Sequence, residues 1–177
     1  MLALAAAVLA ASASASAGAP ASVLEASVPW FERITVTVDD KGAQQSCRYQ
    51  FSLSSAGAGP CPEAIAATVP TRKARGGPGA FSKLTFERRF SPGMKIDSGR
   101  LQPGDKLLAQ QVMHLTFAAD GSIASCRVVG RSGDLVPAYG CDEARAEQFR
   151  HTASAPADAP RQAFMTIIVY GHQEQIA

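Results

Sequence analysis

The chain has 177 residues and a formal net charge of +2 at pH 7, with 18% charged and 46% hydrophobic residues. That is the composition of a soluble globular protein, long enough for one ordinary domain or two small ones. So small a net charge leaves no electrostatic footprint for a nucleic-acid partner.

Residues 1–17 carry no charge and are almost entirely Ala, Ser, Leu and Val. They end in small-x-small triplets such as Ala15, Ser16 and Ala17. This is the apolar core and cleavage region of a secretory signal. It is shorter and richer in serine than a membrane span of about 20 residues requires. Cleavage is expected near Ala17 or Ala19, which makes residues 1–20 a signal peptide. The mature chain is then expected in the periplasm, with no stable membrane span.

Trp30 and Phe31 come next and are expected to close a core, because a small domain needs large apolar groups. Residues 34–38 (ITVTV) alternate apolar and polar side chains, the mark of a half-buried strand. Asp40 and Gly42 signal a tight turn into a second strand over 44–53. Pro62 suits the first turn of a helix over 62–69. A third strand is expected over 81–90. Residues 91–111 are rich in Gly, Pro and polar groups and read as a linker.

The same order then repeats. KGAQQSCR at 41–48 aligns with DGSIASCR at 120–127, about 79 residues further on. Residues 34–38 align with 113–117, Cys61 with Cys141 at nearly the same offset, and 81–86 with 164–169. Four features in register point to duplication of one unit. The second copy predicts strands over 113–118, 122–129 and 164–170 and a helix over 142–151. Asp142 and Glu143 suit the positive end of that helix. The expected fold class is α+β: two tandem ββαβ units, at 21–90 and 112–177. Each would be a small antiparallel sheet with a helix packed on one face. Duplication would also bury one edge of each unit against the other.

Four cysteines, Cys47, Cys61, Cys126 and Cys141, allow three pairings. An exported chain favours disulfides. The repeat selects Cys47 with Cys61 and Cys126 with Cys141, each pinning a helix start to a second strand. Closing a loop of about 15 residues contributes roughly 3 kcal/mol in the chain-entropy model. That matters for a unit with a thin core. Structural zinc needs closer ligand pairs, so neither a metal nor a cofactor is expected.

No catalytic constellation stands out. His114 lies on a predicted strand, opposite the face of Met113, Leu115 and Phe117; His151 ends the predicted helix; His172 lies near the C-terminus. Asp39, Asp40, Asp120 and Asp134 sit at turns and read as turn formers. The sequence Gly130, Arg131, Ser132, Gly133 lacks the spacing of a nucleophile elbow. No zinc-protease, phosphate-loop or dinucleotide motif is present. Basic residues Arg72, Lys73, Arg75, Arg88 and Arg89 read as solvated charge. The chain is therefore expected not to be an enzyme.

Residues 112–170 carry LTFAADGSIASCRVVGRSGD, CDEARAEQFR and AFMTIIVY. With Gly121, Ser132, Gly133, Ala144, Ala146 and Phe149 at motif positions, this stretch resembles the C-terminal domain of TonB-family energy transducers. The first half resembles that family only through its likeness to the second. The resemblance implies a periplasmic, non-enzymatic module. It would bind a protein or extended peptide, an outer-membrane receptor among the candidates, by adding a strand to an exposed sheet edge. The implied edge is the last strand: Phe164, Thr166, Ile167, Ile168, Val169 and Tyr170. A transducer-type component of outer-membrane transport is the alternative, with an uncharacterised enzyme behind it. The chain lacks the long Pro-rich spacer a force transmitter needs.

Overall fold

The alternating segments 34–38 and 113–117 both form strand. The computed structural model describes residues 23–39, 43–62, 81–150 and 161–172. In chain order these form β1 (Leu24–Glu25), β2 (Trp30–Val38), β3 (Gln44–Phe51), β4 (Ala58–Pro60), β5 (Lys83–Pro92), β6 (Asp105–Phe117) and β7 (Ile123–Gly133). A helix, α1 (Cys141–Arg145), then precedes β8 (Phe149–Arg150) and β9 (Gln162–His172).

Seven strands make one sheet in the order β4-β3-β2-β5-β9-β6-β7, every neighbour antiparallel. β1 and β8 pair separately, in parallel, through Leu24–Phe149 and Glu25–Arg150. Apart from β4, the strand order is symmetric about the β5–β9 seam. On one side stand β5, β2 and β3; on the other stand β9, β6 and β7. Phe86 and Val169, at matching positions in the two halves, face each other across the seam.

This overturns the expected α+β class of two ββαβ units. The described residues are mostly strand, and the two halves share one continuous sheet. The helix expected over 62–69 lies outside the described residues apart from Pro62. The one expected over 142–151 is five residues long and ends at Arg145. Tertiary contacts outweigh its helix-forming composition. Phe149 is buried in the core, its N–H donates to the Gly121 carbonyl at 3.1 Å, and its backbone pairs with Leu24. β6 begins at Asp105, within the stretch read as linker.

Side chains alternate across the strands, so each strand contributes to both faces. One face carries Trp30, Phe90, Met113, Leu115, Phe117, Met165 and Ile167. Leu24, Ala26, Ala144 and Phe149 cover it. Trp30 stacks on Phe90 at 5.3 Å between ring centres, and Phe149 meets Phe90 at 5.7 Å and Phe117 at 5.1 Å. Each buried aromatic stabilises the fold by roughly 1.5–3 kcal/mol through removal of apolar surface from water. The indole Nε1 of Trp30 donates to the Glu25 carbonyl at 2.7 Å, which satisfies the polar edge of a buried ring.

Two disulfides, Cys47–Cys61 and Cys126–Cys141, close separations of 14 and 15 residues. They join the cysteine pairs expected from the repeat. The second fixes α1 to β7. The first joins β3 to the end of β4.

Candidate functional site

The residues first expected to form a peptide-binding edge do not lie at an edge. Phe164, Thr166, Ile167, Ile168, Val169 and Tyr170 belong to β9, which pairs with β5 on one side and β6 on the other. Both rows of its backbone donors and acceptors are engaged, so no strand can add there. The physical reason is that β9 lies inside the sheet, between β5 and β6. The third strands of the two halves close each other's open edge.

The sheet ends instead at β4 and β7. β4 has three residues and includes Pro60, which lacks a backbone donor. β7 has eleven and is mostly exposed along its length. Two irregularities in its pairing with β6, at Val112/Met113 and Thr116/Phe117, divide it. Between them residues 125–128 pair regularly with Thr116 to Met113; beyond them residues 130–133 pair with Val112 to Ala109. Such bulges blunt an edge against indiscriminate pairing. Arg145 Nη2 reaches the Cys126 carbonyl at 3.4 Å on the outer side. Among the described residues no strand pairs with that side of β7.

A second feature is a cleft of about 350 Å³ between the two halves. Glu32, Ile34, Phe86 and Arg88 come from the first half; Pro137, Ala138, Tyr139, Glu143, Glu147 and Ile167 come from the second. Strand register explains the placement. Arg88 lies opposite Glu32 on one side and Ile167 on the other, and Phe86 lies opposite Ile34. Glu87 borders the cleft, but alternation turns its side chain to the other face. There Arg33 meets it at 3.0 Å and Arg89 at 2.5 Å.

The polar groups of the cleft form one network. Arg88 donates from Nε to Glu32 Oε2 at 2.9 Å and from Nη1 to Glu147 Oε1, and its Nη2 lies 2.7 Å from the same Glu32 oxygen. Its guanidinium lies 5.3 Å from the Trp30 ring and 4.9 Å from the Tyr139 ring. The Tyr49 hydroxyl donates to Glu32 Oε1 at 2.8 Å, and the Tyr139 hydroxyl to Glu147 Oε2 at 2.7 Å. Burial pulls the Arg88 pKa down, but Glu32, Tyr139 and Glu147 outweigh it, and the net movement is upward. Burial pushes the Tyr139 hydroxyl up, with Arg88 opposing and Glu147 adding to the rise. Glu143 uses Oε2 to accept the Gly140 N–H at 2.8 Å, which caps α1.

Arg88 and Arg89 are thus largely buried and paired, not solvated as expected. The signal was present in the sequence. Alternation puts Arg88 on the same face as Phe86 and Phe90, and a charge on an apolar face needs a partner. Arg72, Lys73, Arg75, Asp40 and His151 lie outside the described residues. Trp30 is buried, as expected.

Of the other candidates, His114 bonds Gln162 at 3.3 Å and packs on Phe164, while His172 meets Asp105 at 2.9 Å. Asp39 accepts the Ala43 N–H at 2.7 Å and Asp120 accepts the Ser122 hydroxyl at 2.6 Å, both in the role of turn formers. Among the described residues, no group of three or more His, Cys, Asp or Glu is placed to hold a metal ion, and no helix is long and apolar enough to cross a membrane. No family model matches the chain, and neither a curated protein nor a solved structure does.

Proposed function

We propose that this chain is an exported, disulfide-stabilised, non-enzymatic binding module that accepts an extended peptide along the outer edge of β7. The observation that carries the reading is that β7, eleven residues long, pairs with a strand on one side only among the described residues. Backbone groups on such an edge are satisfied as well by a partner strand as by water. The contact of Arg145 with Cys126 leaves residues 130–133 as the more accessible window. The resemblance of residues 112–170 to transducer C-terminal domains implies the same mode of binding. Two disulfides and the leader-like residues 1–17 support an oxidising, exported compartment.

Selection of displayed random peptides on the oxidised protein tests the reading. Hydrogen exchange then maps the strongest binder. Protection centred on residues 130–133 is the expected result. Protection confined to other strands, or failure to select any peptide, overturns it.

A further inference from the structure

The cleft between the halves brings apolar and acidic groups together. Its apolar lining is Ile34, Phe86, Pro137, Ala138 and Ile167. Its charged groups are three carboxylates, Glu32, Glu143 and Glu147, against one guanidinium, Arg88. Glu87 does not enter this balance, because Arg33 and Arg89 match it on the opposite face. The cleft therefore joins an apolar lining to an excess of negative charge, and it opens to solvent. A volume of about 350 Å³ lies at the small end of ligand sites, which run from about 300 to 1,000 Å³.

We infer that this cleft receives the side chain of a lysine carried by a partner polypeptide. The aliphatic stem would lie on Ile34, Phe86 and Ile167 while the ammonium reaches the exposed carboxylate of Glu143. The existing hydrogen bonds favour lysine over arginine. Both oxygens of Glu32 are already acceptors, from Tyr49 and Arg88, and both oxygens of Glu147 are too, from Arg88 and Tyr139. No paired oxygen edge remains on either for the two-pronged approach that a guanidinium prefers. Glu32 Oε1 and the two Glu147 oxygens each retain acceptor capacity for one more donor, and Glu143 Oε1 has no partner among the described residues. Single donors of that kind are what an ammonium supplies. This inference is independent of the β7 edge: the two sites lie on different strands, and failure of one leaves the other standing.

The test is a titration of the isotope-labelled full chain, followed by NMR at the methyl groups of Ile34, Ala138 and Ile167. The probes are the pentapeptide Gly-Gly-Lys-Gly-Gly, its arginine and norleucine counterparts, and pentylammonium ion. The lysine peptide is expected to shift these methyls and to bind at least about 5-fold more tightly than either counterpart, the scale of one partly exposed charge contact. Glu143→Gln retains a side chain that can cap α1 and is expected to weaken lysine binding by about 3- to 5-fold. Equal binding of the norleucine peptide, or shifts confined to residues outside the cleft, overturns the inference. Tighter binding of pentylammonium than of the lysine peptide overturns the side-chain assignment in favour of a free amine.

Discussion

Glu32 and Arg88 stand directly opposite one another on β2 and β5, and the guanidinium reaches a single carboxylate oxygen twice, at 2.9 and 2.7 Å. The pair sits on the face that also carries Trp30, Phe86 and Phe90. From there Arg88 extends to Glu147, in the second half of the chain. One side chain thus joins the first half's sheet to the segment after α1. The arrangement ties the position of the cleft walls to a buried ion network, and it makes the network the first place to test the fold.

Replacing Arg88 by methionine leaves two largely buried carboxylates without their cation. Removal of one partner of a buried pair typically costs about 3–5 kcal/mol. Arg88→Met is expected to lower the urea-unfolding free energy by about 3 kcal/mol. Arg33 is about one-third exposed, and Glu87 keeps Arg89 when it is lost. Arg33→Met should therefore cost no more than about 1 kcal/mol. Equal losses for the two variants would contradict the placement of Arg88.

All three tyrosines of the chain titrate above their ordinary value of 10.0. Burial is the main cause for each. Glu32 adds to it at Tyr49, Glu147 at Tyr139 and Glu87 at Tyr170. The sign follows directly. A hydroxyl whose pKa is higher in the folded state contributes stability that is complete below pH 10.0. That contribution falls as pH rises from there through the folded value. At pH 10.0, where a free tyrosine is half ionised, the native protein should show much less phenolate absorbance than three free tyrosines. Half-ionisation without loss of native circular dichroism would rule out this environment.

Gly121 has φ +84°, and a Cβ there would lie 1.8 Å from the Phe149 carbonyl oxygen. The turn between β6 and β7 therefore needs glycine twice over, for its backbone angle and for the approach of β8. Gly121→Ala is expected to lose more than about 1 kcal/mol. The loss should appear first as faster hydrogen exchange at Phe149, whose N–H bonds the Gly121 carbonyl. An unchanged melting temperature would be inconsistent with this packing.

The Cys126–Cys141 bond holds α1, a helix too short to persist alone, against β7. Converting both cysteines to alanine is expected to reduce stability by about 3 kcal/mol. Amide protection of α1 should fall selectively. The Cys47/Cys61 double variant should cost a similar amount yet leave α1 protected. Loss of α1 protection in both variants would show that the helix depends on global stability and not on its own link.

Asp97 shows the acid side of the same linkage. Burial raises its pKa, but the Gly99 N–H and the guanidinium of Arg89 outweigh this and hold it below the ordinary 3.8. A depressed carboxyl contributes stability that is complete above about pH 4 and is lost as pH falls through the folded value. Asp97→Asn should therefore narrow the gap in denaturation midpoint between neutral and acid pH. If the variant keeps the full wild-type loss on acidification, Asp97 is not part of that titration.

Each predicted strand that falls among the described residues is present, although the one expected over 113–118 begins eight residues earlier, at Asp105, within the stretch read as linker. Alternation over 34–38 and 113–117, and the aspartate-glycine turn at Asp120, are local signals that need no partner to be read. The cysteine pairing was legible because the repeat carried it. The helix was over-read: the composition of residues 142–151 favours helix, but the burial of Phe149 and its pairing with Leu24 come from a segment more than 100 residues earlier. The ionic network was half legible, in the phase of Arg88 with Phe86 and Phe90, although its partner Glu147 was not.

The sequence by itself determined the position of most of the long strands and which of their residues share a face. Those properties follow from periods of two residues and from turn chemistry, both short-range. Only the tertiary structure decided that the halves merge into one sheet across β5 and β9, that the strand expected at the edge lies inside, and that a cleft opens between the halves. Strand pairing is non-local: a backbone edge satisfies its hydrogen bonds with whichever complementary strand packs best, and no local pattern names that strand.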